Sequence, residues 1–238
     1  MDSRANRSSL DTMENDIFKV FSPGKRNFEV VSVTDIAPAS IAGEIYGQSP
    51  KIIDNFVENI HASVYELNKL NIRSCSLNIA GENIFANPEK RQGTIKILKR
   101  ISSILYEKKI TLSLPVRVPA TAGNSQDNYP VLVRETMSPF VKLAVNIHPH
   151  EIKNQTDPDE LIGPYRFLMN SVSFIYEPEA GNFLVPKLMD PWFELLIQYR
   201  FAGPVIFLPR TANIAIFSRE VERIVRILKE FQAKRIAP

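Results

Sequence analysis

The sequence is short of most residues that announce a chemistry. It has one cysteine, Cys75, so no disulfide can close within the chain. That cysteine lies in the strand-like run Arg73–Ala80, where a small buried hydrophobe is expected, in keeping with a reducing compartment. Three histidines in 238 residues are too few for a multi-metal centre built on imidazole. No run of about 20 apolar residues is present, so a membrane span is not expected. The N-terminus lacks the apolar core of a secretory signal, and the expected location is cytoplasmic. The net charge is only +3, with no dense lysine–arginine block, which argues against a nucleic-acid partner. At 44% apolar residues the chain can bury a substantial core, which excludes global disorder.

What is present is a rhythm. Phe140–Glu151, FVKLAVNIHPHE, starts with apolar and β-branched residues and closes on Asn146, His148, Pro149 and His150. Such a run reads as a strand buried on both faces, as in a parallel sheet. In α/β proteins the working residues gather at the carboxyl ends of these strands. Further strands are expected at Phe28–Thr34, Arg73–Ala80, Ile110–Val118, Ser171–Glu177 and Pro204–Leu208. Between them Ser49-Pro50, Asn87-Pro88, Asp157-Pro158 and Asp190-Pro191 each place a side-chain oxygen where it can cap a helix and a proline at the first helical position.

The helices follow by period. Ile52, Ile53, Phe56, Val57, Ile60, Val64 and Leu67 form one stripe; Ile95, Leu98, Ile101, Ser102 and Leu105 form another. A last helix, capped by Ser218, is expected to bury Val221, Ile224, Val225, Leu228 and Phe231 beneath a solvated basic face of Arg219, Arg223, Arg226 and Lys229. Strands alternating with helices imply right-handed parallel crossovers. Six strands are legible, whereas a closed barrel uses eight. The expectation is one α/β domain over residues 28–238, a degenerate or truncated (β/α) barrel, preceded by a polar arm, residues 1–27. Open sheet edges need cover, so closure by Met1–Arg26 or pairing with another subunit is expected, and a protein partner or homo-oligomer with it.

In the order of its pieces the chain resembles the xylose isomerase-like barrel superfamily, which includes sugar-phosphate isomerases, epimerases and barrel-type apurinic endonucleases. The likeness runs from Phe28–Ile36 through Asn68–Ala80, Glu107–Pro119, Val141–His150 and Ser171–Glu177 to Tyr199–Leu208. It implies a barrel whose divalent ion, held by carboxylates and imidazole, polarises a sugar's oxygens while a carboxylate moves the proton. The positions implied for the ligands are Pro115, Asn146, Ile175 and Leu208. No acidic residue lies within Leu112–Pro119 or Gly203–Arg210, so a shift of one or two positions would not restore the two glutamates. The resemblance therefore implies the fold and argues against the reaction.

Several groups could still act. His148 and His150 form an H-x-H that on an extended strand faces one way, with Glu151, Glu177, Glu179 or Asp35 as a third ligand; two surface histidines are the plainer reading. Arg117 and Arg210 each follow a strand and could clamp an anion, or pair with Glu177 or Glu179 across the mouth. Glu177 and Glu179 could serve as acid and base. Gly81, Asn83 and Asn87 flank the second strand's loop without a phosphate-loop pattern. Trp192 is either a core anchor or a stacking platform. Three functions are thus in play. The first is a non-catalytic barrel subunit, with no cofactor expected, binding a sugar or small anion through Arg117, Asn146, His148, Glu177 and Arg210. The second is a sugar or sugar-phosphate isomerase or epimerase, or a lyase, working through His148, His150 and Glu177 with a divalent metal. The third and weakest is a nuclease akin to the apurinic endonucleases.

Overall fold

A computed structural model describes residues 36, 49–78, 87–119, 128–152 and 156–236. The expected strand Phe28–Thr34, the arm 1–27, Asp35, Gly81 and Asn83 lie outside the described residues. Within them, helices α1 (Pro50–Lys69), α2 (Pro88–Lys108), α3 (Asn128–Thr136), α4 (Pro158–Ile162), α5 (Pro186–Gln198) and α6 (Ile214–Ile236) alternate with strands β1 (Ser74–Ser76), β2 (Thr111–Val118), β3 (Val141–Ile147), β4 (Met169–Tyr176) and β5 (Val205–Pro209). All four strand pairings are parallel, in the order β1-β2-β3-β4-β5. Neighbours in sequence are neighbours in space, as successive right-handed crossovers require. Ile36 adds a backbone N–H to the Ser76 carbonyl at 3.1 Å, on the β1 side of the sheet.

Alternation along the strands sorts the side chains into two layers. Leu112, Leu114, Val116 and Val118 of β2, Val141, Leu143, Val145 and Ile147 of β3, and Val172, Phe174 and Tyr176 of β4 are all buried. They point at the helices. Phe56, Val57, Ile60, Val64 and Leu67 of α1 and Ile95, Leu98, Ile101 and Leu105 of α2 cover this layer, as their period requires, while Ile52 stays exposed. At roughly 1.5–3 kcal/mol per fully buried large aliphatic side chain, this layer holds the domain together. Cys75 is one of its members, fully buried, and burial pushes its thiol up to about 12, which removes it as a nucleophile. Trp192 is also buried, edge-on to Phe174, so it is a core anchor.

The opposite face is small and polar, and it curls. A bulge in β4, opposite the Leu143–Ala144 step of β3, leaves Asn170 out of register. The bulge re-aims its side chain. Its Nδ2 donates to Ser74 Oγ at 2.8 Å on β1 and to Ser113 Oγ at 3.0 Å on β2. Strand β4 touches β1 across two intervening strands, so this face is concave. Gly203 makes the bulge feasible: a Cβ there would fall 2.2 Å from the Asn170 carbonyl oxygen and 2.6 Å from the Phe201 ring.

Two expected helix starts are displaced. The Asp190-Pro191 pair does not begin a helix; α5 starts at Pro186 after Val185 and runs through Pro191. Asp190 instead pairs with Lys234 of α6. Likewise α6 is capped not by Ser218 but by Asn213, whose Oδ1 accepts from the N–H groups of Ala215 and Ile216. Neither true start carries a capping side chain followed by proline: α5 has Val185 before Pro186, and α6 has Asn213 before Ile214. The other three starts hold their positions. The side chains of Asn87 and Asp157 accept cap hydrogen bonds, and Ser49 makes none.

Phe174 is fully buried, stacked on Phe207 and edge-on to Trp192 and Phe193. Phe174→Ala is expected to cost roughly 3–5 kcal/mol, and Gly203→Ala about 1–3 kcal/mol as the bulge is pushed aside, both read by urea denaturation.

Candidate functional site

The concave face has a row of four side chains in register at the carboxyl ends of the strands. Arg117 of β2 pairs with Asn146 of β3, Asn146 with Ser173 of β4, and Ser173 with Ile206 of β5. One step down lie Pro115, Ala144 and Ser171. One step up, Ile175 lies beside Leu208. Guanidinium, carboxamide and hydroxyl thus form a short shelf that leads into the loops at the mouth.

Beyond the shelf, the chain after β3 turns abruptly. Pro149–Glu151 is a single 3₁₀ turn. The extended geometry expected to aim His148 and His150 together is therefore lost. His148 is buried; His150 is exposed and lies beside the Phe183 backbone. The His148 Nε2 sits 2.7 Å from Arg117 Nη1, while its Nδ1 lies 3.4 Å from Glu151 Oε1. A guanidinium can only donate. The ring is therefore neutral, with Nε2 accepting from Arg117 and the Nδ1–H turned toward Glu151. Arg117 Nη2 in turn donates to both carboxylate oxygens of Glu151. Burial, followed by the Arg117 charge, holds His148 below its usual value, against a smaller opposing pull from Glu151.

The second arginine is matched in the same way. Arg210 Nη1 lies 3.6 Å from Glu177 Oε1, and Thr211 Oγ1 donates to Glu179 Oε1 at 2.6 Å. The mouth therefore carries two guanidinium groups and two carboxylates paired across it, around one neutral imidazole. Both ion pairs are half-exposed, worth at most about 1 kcal/mol each, so a ligand could displace them.

The expected site residues Arg117, Asn146, His148, Glu177 and Arg210 all lie at this end of the sheet, whereas His150 turns away and Asn87 caps α2. Glu151, weighed only as a metal ligand, proves to be the partner of Arg117. Ser173 and Asn170 were missed. The signal was there in the every-second-residue serines Ser74, Ser76, Ser171 and Ser173, which a buried strand would fill with apolar side chains.

Solved structures supply the comparison. D-allulose 3-epimerase from Methylomonas sp. superposes with a TM-score of 0.55 at 17% identity, covering 72% of this chain and 62% of that one. L-ribulose 3-epimerase gives 0.64 at 13% identity over 86% of this chain and 76% of its own. For 3-keto-D-glucoside 4-epimerase from E. coli the values are 0.63 and 11%, over 96% and 87%. The chain has the xylose isomerase-like (β/α) barrel fold. It spans about three fifths of the length of the Methylomonas D-allulose 3-epimerase and of a D-psicose 3-epimerase from Clostridium cellulolyticum H10. No protein-family model and no curated protein sequence matches it.

In xylose isomerase-like barrels a divalent ion is implied at the mouth, and the residues here do not fit one. Pro115, Ile175 and Leu208 have no lone pair to offer, and Asn146 has only a carboxamide. The His148 Nε2 lone pair is engaged by Arg117. Among the described residues no three His, Cys, Asp or Glu side chains converge as ligands.

The His148 arrangement gives a pH dependence. Its folded value lies below the unfolded value of 6.5, so its contribution to stability is complete above about pH 7 and declines as pH falls through 6.5 toward the folded value. Protonation would also set an imidazolium against Arg117. His148→Gln, which keeps an acceptor for Arg117, is expected to flatten the wild-type fall in Tm between about pH 7 and pH 5. Equal slopes in the two proteins would refute the assignment.

Proposed function

We propose that this protein is a non-catalytic barrel subunit that binds a neutral, polyhydroxylated small molecule at the mouth of its sheet, without a metal. The observation that supports the reading is the set of side chains where its structural neighbours' fold places chemistry. Pro115, Ile175 and Leu208 can neither coordinate an ion nor move a proton. The Arg117–Asn146–Ser173 shelf offers donors and acceptors at the spacing of adjacent strands, about 4.8 Å, which suits alternate hydroxyls of a sugar. Both mouth arginines are already matched by carboxylates, which favours an uncharged ligand over an anion.

Two of the structural neighbours were crystallised with ketoses, a D-psicose 3-epimerase with D-tagatose and a D-allulose 3-epimerase with D-allulose. Ketohexoses are therefore the probes of choice. Isothermal titration with D-allulose and D-tagatose is expected to show metal-independent binding, unchanged by EDTA. Asn146→Ala should weaken it at least tenfold, about 1.4 kcal/mol or more, with Tm unchanged.

The alternative reading is an epimerase working through His148, His150 and Glu177. It predicts turnover of one of these ketoses on addition of manganese or zinc, lost on His148→Ala. Stoichiometric metal in the purified protein together with such turnover would replace the proposal.

A further inference from the structure

The end of the sheet opposite the mouth has a surface of its own. In a parallel sheet every helix-to-strand turn falls at the same end, so the turns into β1 through β5 form one rim. Of the four most exposed large apolar side chains among the described residues, three stand on it: Tyr106 at 69%, Met137 at 84% and Phe167 at 80%. Tyr106 is in the last turn of α2, Met137 directly follows α3, and Phe167 lies two residues ahead of β4. Each is held in place. Tyr106 meets Phe140 edge-on at 5.8 Å, Met137 sits on left-handed backbone with φ 57°, and the Arg166 guanidinium lies 5.0 Å over the Phe167 ring.

Charge on this rim has one sign. The connecting segments 70–73, 109–110, 137–140, 163–168 and 199–204 hold four bases, Arg73, Lys109, Arg166 and Arg200, and no acid. In the last turns of α1, α2 and α3 the acids are already matched, Glu66 by Lys69, Glu107 by Lys108 and Glu135 by Arg91. Lys109, Arg166 and Arg200 are exposed and have no ion-pair partner among the described residues. Helix C-termini gathered at one end account for a base apiece. They do not account for three bare apolar tips set between those bases.

We propose that this rim rests on an anionic lipid surface, with Tyr106, Met137 and Phe167 entering the headgroup layer and Lys109, Arg166 and Arg200 meeting the lipid charges. Two observations select a bilayer over a protein partner. The tips project singly from three consecutive turns and span roughly 20 Å, at ~10 Å between neighbouring helices. A protein would have to offer a separate recess to each, whereas a headgroup layer admits each side chain where it stands. The side chains are also the kind that layer favours, an amphipathic tyrosine and apolar tips among cations. No described helix is long and apolar enough to cross a membrane, so the contact is with the surface.

The rim and the Arg117–Asn146–Ser173 shelf lie at opposite ends of the strands, so this proposal and the binding proposal fail separately. The full chain is expected to co-sediment with phosphatidylcholine vesicles carrying about 30% phosphatidylserine, and not with phosphatidylcholine alone. Phe167→Ser combined with Met137→Asn, which tolerates the left-handed backbone, should lower the vesicle partition coefficient at least about tenfold with the circular-dichroism melt unchanged. Arg166→Glu combined with Arg200→Glu should do the same. Failure to partition onto the phosphatidylserine vesicles overturns the proposal. So does partitioning that either pair of substitutions leaves unchanged, equal partitioning onto neutral vesicles, or a rim found covered by an acidic protein or by another segment of the chain.

Discussion

The structure depends on one alternation. In β2, β3 and β4 every second side chain is a large aliphatic or aromatic group pressed against the helices, and those between are mostly small or polar, with Ile175 the apolar exception at the mouth. The apolar set supplies the free energy, since it alone can be removed from water on both sides by sheet and helix. The polar set is left to the concave face. It is tolerated there because Asn170, Ser74 and Ser113 satisfy one another at one end. At the other end Arg117, His148 and Glu151 do the same.

This division explains why the mouth can be polar without acids at the strand ends. A metal-using barrel spends buried acids at the ends of its strands and recovers their desolvation cost from the ion. Here those positions are occupied by proline, isoleucine and leucine, and no such compensation is needed. The charges that remain belong to loops and strand ends and are neutralised in pairs across the opening. Burial and the Arg117 charge keep His148 unprotonated, and the pairing of the other charges leaves Asn146 and Ser173 as the groups best placed to meet a ligand.

The last helix follows from the same logic at the edge of the domain: Val221, Val225 and Leu228 of α6, expected in the core, stay exposed. A (β/α) unit is covered on one side by the unit before it and on the other by the unit after it. Helix α6 has α5 on one flank, through Phe193 and Phe231, and no described helix on the other. Its apolar arc is correspondingly wider than its contact with the described core.

Strand–helix alternation, the parallel sheet and the burial of Cys75 and Trp192 were legible in the residues, because period and capping are local properties. Three of four Pro-marked helix starts were legible too. Asp190-Pro191 misled because α5 has already begun five residues earlier, at Pro186, and runs on through Pro191 at the cost of one helical hydrogen bond. The candidate residues at the mouth could be named from their places at strand ends. Their relations could not, since one 3₁₀ turn decides whether His150 joins His148, and the choice between a free and a paired Arg117 rests on Glu151, 34 residues away. Composition and periodicity determined the layers. The tertiary structure alone decided which polar groups face each other and which apolar face stays bare, because both depend on the distance between elements remote in sequence.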